Sequence, residues 1–215
     1  MSHSVNKRYD GGCMAATTRT ARTRQSRRES RERIVAAATE LVRRSSYAEL
    51  SVDAVMREAG QGRTIFYRHF DDLADLLTRV SREAVEQLFE AQRSFVAARP
   101  DDATVAVRRA LEAAVEVYQR HGPLLRCVAE AAAVDPQIAA GYAAMRSRFD
   151  EFAERSLRDV AGPGRTPPAN LGETARALNL MNETYLTDAF GREPRVPPET
   201  VVQTLTVIWD AVIHR

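Results

Sequence analysis

Ala59–Phe70 reads AGQGRTIFYRHF, and its two glycines, two arginines and four ring-bearing side chains decide how the chain is to be understood. The residues before it are patterned. Ser51 is placed as an N-cap with Asp53 in the positive first turn, and Val52, Val55, Met56 and Ala59 follow at i, i+3, i+4 and i+7. That spacing predicts a short amphipathic helix, ended by Gly60–Gly62, where glycine turns the chain at low cost. A third short helix fits Arg63–His69. Upstream, Ser26 and Glu29 can form a capping box, and Ile34, Val35, Ala38, Leu41 and Val42 keep helical spacing. Three short helices with a glycine turn before the last form a helix-turn-helix unit. In that arrangement the third helix enters the major groove, so Gln61, Arg63, Thr64 and Arg68 can meet base edges. Tyr67 and His69 can donate to phosphates, while Ile65, Phe66 and Phe70 anchor the helix to its neighbours.

Outward from this unit the pattern stays helical. Asp71 and Asp72 can cap a helix running to about Ala98, and Asp101 and Asp102 start another with Val107, Leu111, Ala114, Val115 and Tyr118 on one face. Pro123 and Pro136 are each placed in the first turn of a further helix. GPGRTPP at 162–168 reads as a loop, and two last helices follow at about 171–189 and 198–214. No segment has convincing strand period, so the expectation is an all-α fold of about nine helices. Residues 1–25 are expected to be a flexible basic arm, 26–70 the helix-turn-helix domain and 71–215 a ligand-binding and dimerisation domain.

Charge is distributed unevenly. Residues 1–70 hold 14 Lys/Arg against 7 Asp/Glu, a net of +7, whereas the remainder holds 17 against 22, a net of −5. A basic head on an acidic body implies that only the head meets a polyanion such as double-stranded DNA. The arginine-rich arm Arg19–Arg28 could reach phosphates or an adjacent groove, or could remain a solvated tail. No apolar run is long enough to span a membrane, and the N-terminus has no signal-peptide core, so the default expectation is cytoplasmic. Cys13 and Cys127 make no metal or redox spacing, and His3, His69, His121 and His214 are scattered, so neither a metal nor a cofactor is expected.

LSVDAVMREAG, QGRTIFYRHF and DDLADLL, together Leu50–Leu77, resemble the DNA-binding domain of the TetR family of repressors, and the resemblance extends upstream through RIVAAATELV. It implies a homodimer that binds a palindromic operator, with a helical C-terminal domain whose small ligand releases the DNA. Three positions depart from the family pattern. Gly62 stands where a serine usually caps the recognition helix, Ile65 where a threonine often meets phosphate, and Leu73 where a lysine often begins the fourth helix. Each departure removes a backbone contact, and affinity follows the charges neutralised.

In the C-terminal body, ALNLMNETYL places Asn179 and Asn182 on one helical face with Ala175, Leu178, Leu186 and Ala189. Asparagines on an apolar face need partners, either within the fold or on a ligand. ALNLMNE and the later TLTVIWDAVI resemble the end of one member of the family, in which the matching asparagines face a long, mostly hydrophobic channel. That resemblance implies Asn179 and Asn182 as polar anchors with Trp209 nearby, and Tyr118 stands where that member has a channel aromatic. Val107 and Ala114 replace bulkier aromatics, so the pocket should differ in shape. Tyr118, Met145, Phe149, Met181 and Tyr185 are candidate lining residues for a small hydrophobic or amphipathic effector. The last two helices are expected to pair with their mates across a two-fold axis, and Leu205, Ile208 and Val212 supply an apolar stripe that suits either that interface or the core. The alternatives are a DNA-binding dimer without an effector and an all-α enzyme using the cavity. For the enzyme, no nucleophile–base set emerges.

Overall fold

A computed structural model of the chain describes residues 11–96, 103–161 and 169–214, with side chains described over 25–93, 103–159 and 169–214. Among these residues there are eight α-helices and no strand. They are α1 (Gly11–Arg44), α2 (Val52–Glu58), α3 (Arg63–Phe66), α4 (Leu73–Val96), α5 (Ala103–Ala132), α6 (Pro136–Ala161), α7 (Leu171–Gly191) and α8 (Pro198–Ile213). The all-α expectation holds. The arm expected over 1–25 lies outside the described residues up to position 10, and the backbone of 11–25 is helical and continuous with α1. Ser26 is therefore an internal helical residue and not a cap.

Local signals account for several boundaries. The Ser51 side chain accepts from Ala54 N at 3.1 Å and starts α2, and Gly60 takes φ +64°, the left-handed turn expected after it. Asp72 Oδ1 accepts from Asp75 N at 2.8 Å, and Asp75 Oδ2 in return accepts from Asp71 N at 3.2 Å, which opens α4. Asp135 Oδ1 accepts from the amides of Gln137 and Ile138, so Pro136 opens α6 as expected.

Pro123 overturns its reading. It lies inside α5, which runs through it to Ala132, instead of opening a helix. A proline at this position removes the amide that would bond to the carbonyl of Gln119. Arg195 replaces it, donating from Nη1 to Gln119 O at 2.9 Å. The adjoining Gly122 lets α7 approach closely, since a Cβ there would stand 2.3 Å from Phe190 O. Two expected helices thus become one. The long-range contacts responsible come from residues some seventy positions away, beyond the reach of local pattern.

The buried side chains form two cores. One joins Ile34, Ala38, Val42, Val55, Met56, Phe66, Phe70 and Leu77 to Leu124, Cys127 and Ala131 of α5, so the head is packed onto the second half of that helix. The other lies among α4–α8 and includes Val107, Tyr118, Leu178, Leu186, Phe190, Leu205 and Trp209. Leu205 of the C-terminal stripe is fully buried here, whereas Ile208 is 36% exposed and its neighbour Val207 69% exposed.

Between the cores sits Arg126, its side chain only 8% exposed. Nη2 donates to Val42 O at 2.9 Å and Ser45 O at 2.8 Å, Nε donates to Gly191 O at 3.1 Å, and Nη1 pairs with Glu130. Glu130 also accepts from Tyr47 N at 2.8 Å and Arg192 at 3.1 Å. Burial opposes ionisation of Glu130, but these donors outweigh it and hold the carboxyl below its ordinary range. One ion pair therefore ties the end of α1 to the end of α7.

Candidate nucleic-acid interface and ligand cavity

On α3 and the turn after it, Arg63, Thr64, Tyr67 and Arg68 are exposed on one side, with Phe66 and Phe70 buried on the other. This separation follows from helical period: positions i, i+1, i+4 and i+5 share a face. Gly62 caps α3 without a side-chain bond, as its lack of a hydroxyl requires.

Several of these groups are already engaged. Arg63 Nη1 donates to both Asp53 oxygens at 3.1 Å, Nη2 donates to the Tyr67 hydroxyl at 3.1 Å, and the guanidinium lies 5.8 Å from the Tyr67 ring centroid. These contacts, the Tyr67 bond first, raise the Arg63 pKa and keep the group charged. Gln61 is turned towards α1. Its Oε1 accepts from Ser30 Oγ at 2.6 Å, and its Nε2 donates to Ser30 O at 3.3 Å. Arg27 Nη2 donates to Arg68 O at 2.9 Å, linking α1 to the end of the recognition segment. His69 is half-buried; burial and then Arg27, Arg31 and Arg68 push its pKa below the usual imidazole value, so it is a neutral donor at pH 7.

The second site is a cavity of about 140 Å³ among α4, α5, α6, α7 and α8. It brings together six of the eight residues singled out in the body: Tyr118, Met145, Phe149, Asn179, Asn182 and Trp209. Met181 and Tyr185 do not line it and instead pack against the body core. They lie on α7 but outside the stripe that carries Asn179, Asn182 and Leu186. Both asparagines have partners within the chain. Asn179 Nδ2 donates to Asp150 Oδ1 at 2.9 Å, and Asn182 Oδ1 accepts from Trp209 Nε1 at 3.2 Å.

The polar side of the cavity holds residues that the sequence reading missed: Gln92, Tyr142, Arg146, Asp150 and Glu183. Tyr142 donates its hydroxyl to Glu183, and Arg146 Nε lies 3.2 Å from Glu183 Oε2. Burial first, then the Glu183 charge, pushes the Tyr142 hydroxyl far above its ordinary pKa, so it stays protonated. The i, i+4, i+8 spacing of Tyr142, Arg146 and Asp150 was the signal available in the sequence, but such a charged row on an isolated helix reads as a solvated face. Among the described residues no group of His, Cys, Asp and Glu is placed to hold a metal, and no helix is long and apolar enough to cross a membrane.

Comparisons with known proteins agree with both halves. Residues 34–80 match the family described as bacterial regulatory proteins, tetR family, and residues 107–214 match the C-terminal domain of the transcriptional regulator EthR. The chain is 31% identical over 206 residues to the HTH-type transcriptional regulator EthR of Mycolicibacterium smegmatis, covering 91% of this chain and 93% of that one. It is 29% identical to the regulator of the same name from Mycobacterium tuberculosis (strain H37Rv), over 93% of this chain and 94% of the other. The crystal structure of the TetR family regulator PfmR from Thermus thermophilus superposes with a TM-score of 0.67 at 21% identity, covering 81% of this chain and 95% of that one, and so shares the fold. The chain belongs to the TetR family of transcriptional regulators, with an EthR-type C-terminal domain.

Proposed function

We propose that this regulator is a repressor that binds a palindromic operator as a homodimer and leaves it when a small, largely hydrophobic ligand enters the C-terminal cavity. The observation that carries the reading is the course of α4. Its first turns, with Ala74, Leu76 and Leu77, are part of the head core, and Leu88, Ala91 and Gln92 further along line the cavity. A ligand that wedges α4 from α6 and α7 acts on the same rigid element that seats the head. Two recognition helices about 34 Å apart suit successive major grooves on one face of DNA, and a changed separation does not. Ligand shifts the balance only by its differential affinity for the two arrangements. The exposed Val207 and Ile208 on α8 offer apolar surface for the two-fold partner.

Selection of bound sequences from random duplexes at physiological salt tests the first half, with an inverted repeat as the expected result. A library of apolar small molecules then tests release. Ala114→Phe, which fills the cavity from α5, should keep operator binding and abolish release. Release that persists in this variant would place the ligand elsewhere. No release across the library would favour a dimer without an effector.

A further inference from the structure

We infer that the cavity takes a ligand with an apolar tail and a protonated amine head, the amine seated against Asp150; this rests on the cavity being the ligand site. Most of the wall is hydrocarbon, from residues such as Leu88, Val107 and Phe149. The charged side chains are confined to α6 and α7, and they do not balance: Asp150 and Glu183 are two carboxylates against the single guanidinium of Arg146. Arg146 is committed to Glu183, which the Tyr142 hydroxyl also serves. Asp150 accepts from Asn179 alone, and among the described residues no Lys, Arg or His nitrogen lies within 4.0 Å of it. Asp150 is half-buried at the cavity wall, so a cation entering the cavity can meet its carboxylate at short range with partial screening by solvent.

A second, independent feature indicates the same chemistry. On α4, Gln92 Oε1 is shut off from solvent and has no hydrogen-bond partner. Three donors of the cavity are engaged within the chain: the Tyr142 hydroxyl on Glu183, Asn179 Nδ2 on Asp150, and the indole N–H of Trp209 on Asn182. Among the described residues Asp150 has no positive charge beside it and Gln92 Oε1 has no donor. An ammonium head supplies both. A carboxylate head would bring a third negative charge beside Asp150, and a neutral alcohol would leave Asp150 uncompensated.

The experiment compares n-octylamine, n-octanol and octanoate by calorimetric titration at pH 7 and physiological salt. The proteins are the wild type, Asp150→Asn and the cavity-filled Ala114→Phe. Octylamine should bind the wild type about tenfold more tightly than either other probe, equivalent to about 1.4 kcal/mol. Asp150→Asn should reduce that preference to about twofold, and Ala114→Phe should abolish binding of all three. Equal affinities in the wild type, a preference untouched by Asp150→Asn, or amine binding that survives Ala114→Phe would each overturn the head-group inference. In the first two cases octyl binding lost in Ala114→Phe would leave the ligand cavity standing. If none of the probes binds and no apolar compound releases DNA, the ligand reading itself fails, and the inference falls with it.

Discussion

The head and the body solve opposite problems with the same kind of secondary structure. The head closes a dry core around Phe66 and Phe70, each no more than 1% exposed, and ties Gln61, Arg63 and Arg68 to partners on neighbouring helices. The body leaves a cavity whose polar wall carries the half-buried Asp150, with no cationic side chain within 4.0 Å among the described residues, and the Gln92 amide oxygen without a hydrogen-bond partner. A surface that must fit a fixed polyanion gains by being preorganised. The pairing left open in the cavity is what the proposed ligand would complete.

The strongest way to break this contrast is to loosen the head. Phe66→Ala should cost about 4 kcal/mol, the range for an emptied aromatic core site, and denaturant unfolding would read it. A loss below about 1 kcal/mol would mean that the head core is as accommodating as the cavity. Next comes the joint. Arg126→Met leaves the carbonyls of Val42, Ser45 and Gly191 without their donor and Glu130 without its main partner, and should cost about 3 kcal/mol. The same measurement should show the head melting before the body, since this side chain bridges them. A single unchanged transition would show that the two halves do not depend on the pair.

A smaller effect sharpens the description of the head as preorganised. In the free protein Asp53 neutralises Arg63, with both of its oxygens at 3.1 Å from Nη1. Asp53→Asn should strengthen DNA binding at low salt and steepen the logarithmic salt slope by about 0.9, one further phosphate charge neutralised. An unchanged slope would mean that Arg63 stays with its intramolecular partners on DNA. The smallest effect concerns acid. The Glu130 pKa is lower in the fold than in the unfolded chain, so its contribution is present above the unfolded value near 4.5 and is lost as pH falls through the lower folded value. Glu130→Gln should therefore differ most from the wild type near neutrality, and the gap should narrow below about pH 4.5 in acid titrations of stability. A gap constant with pH would remove the electrostatic account of the joint.

The head was largely legible in the sequence because its determinants are local. Ser51 before an apolar period, Gly60 where φ must be positive, and the i, i+4 alternation of Arg63, Tyr67 and the two phenylalanines each act within one or two turns. The same locality made the asparagine face of α7 visible, with four of its apolar members buried as the wheel requires. Tertiary contacts decided the rest. Arg195 and Phe190 carry α5 through Gly122–Pro123, and Arg126 joins carbonyls far apart in the chain. Asp150, Glu183 and Arg146 become a cavity wall only once α6 and α7 face each other. Charges on an amphipathic helix carry no mark of whether the opposite face is water or a neighbour. The sequence by itself therefore determined the all-α class, the cap of α2 and the recognition face, whereas the packing of α4, α6 and α7 around a void decided which polar groups line the cavity.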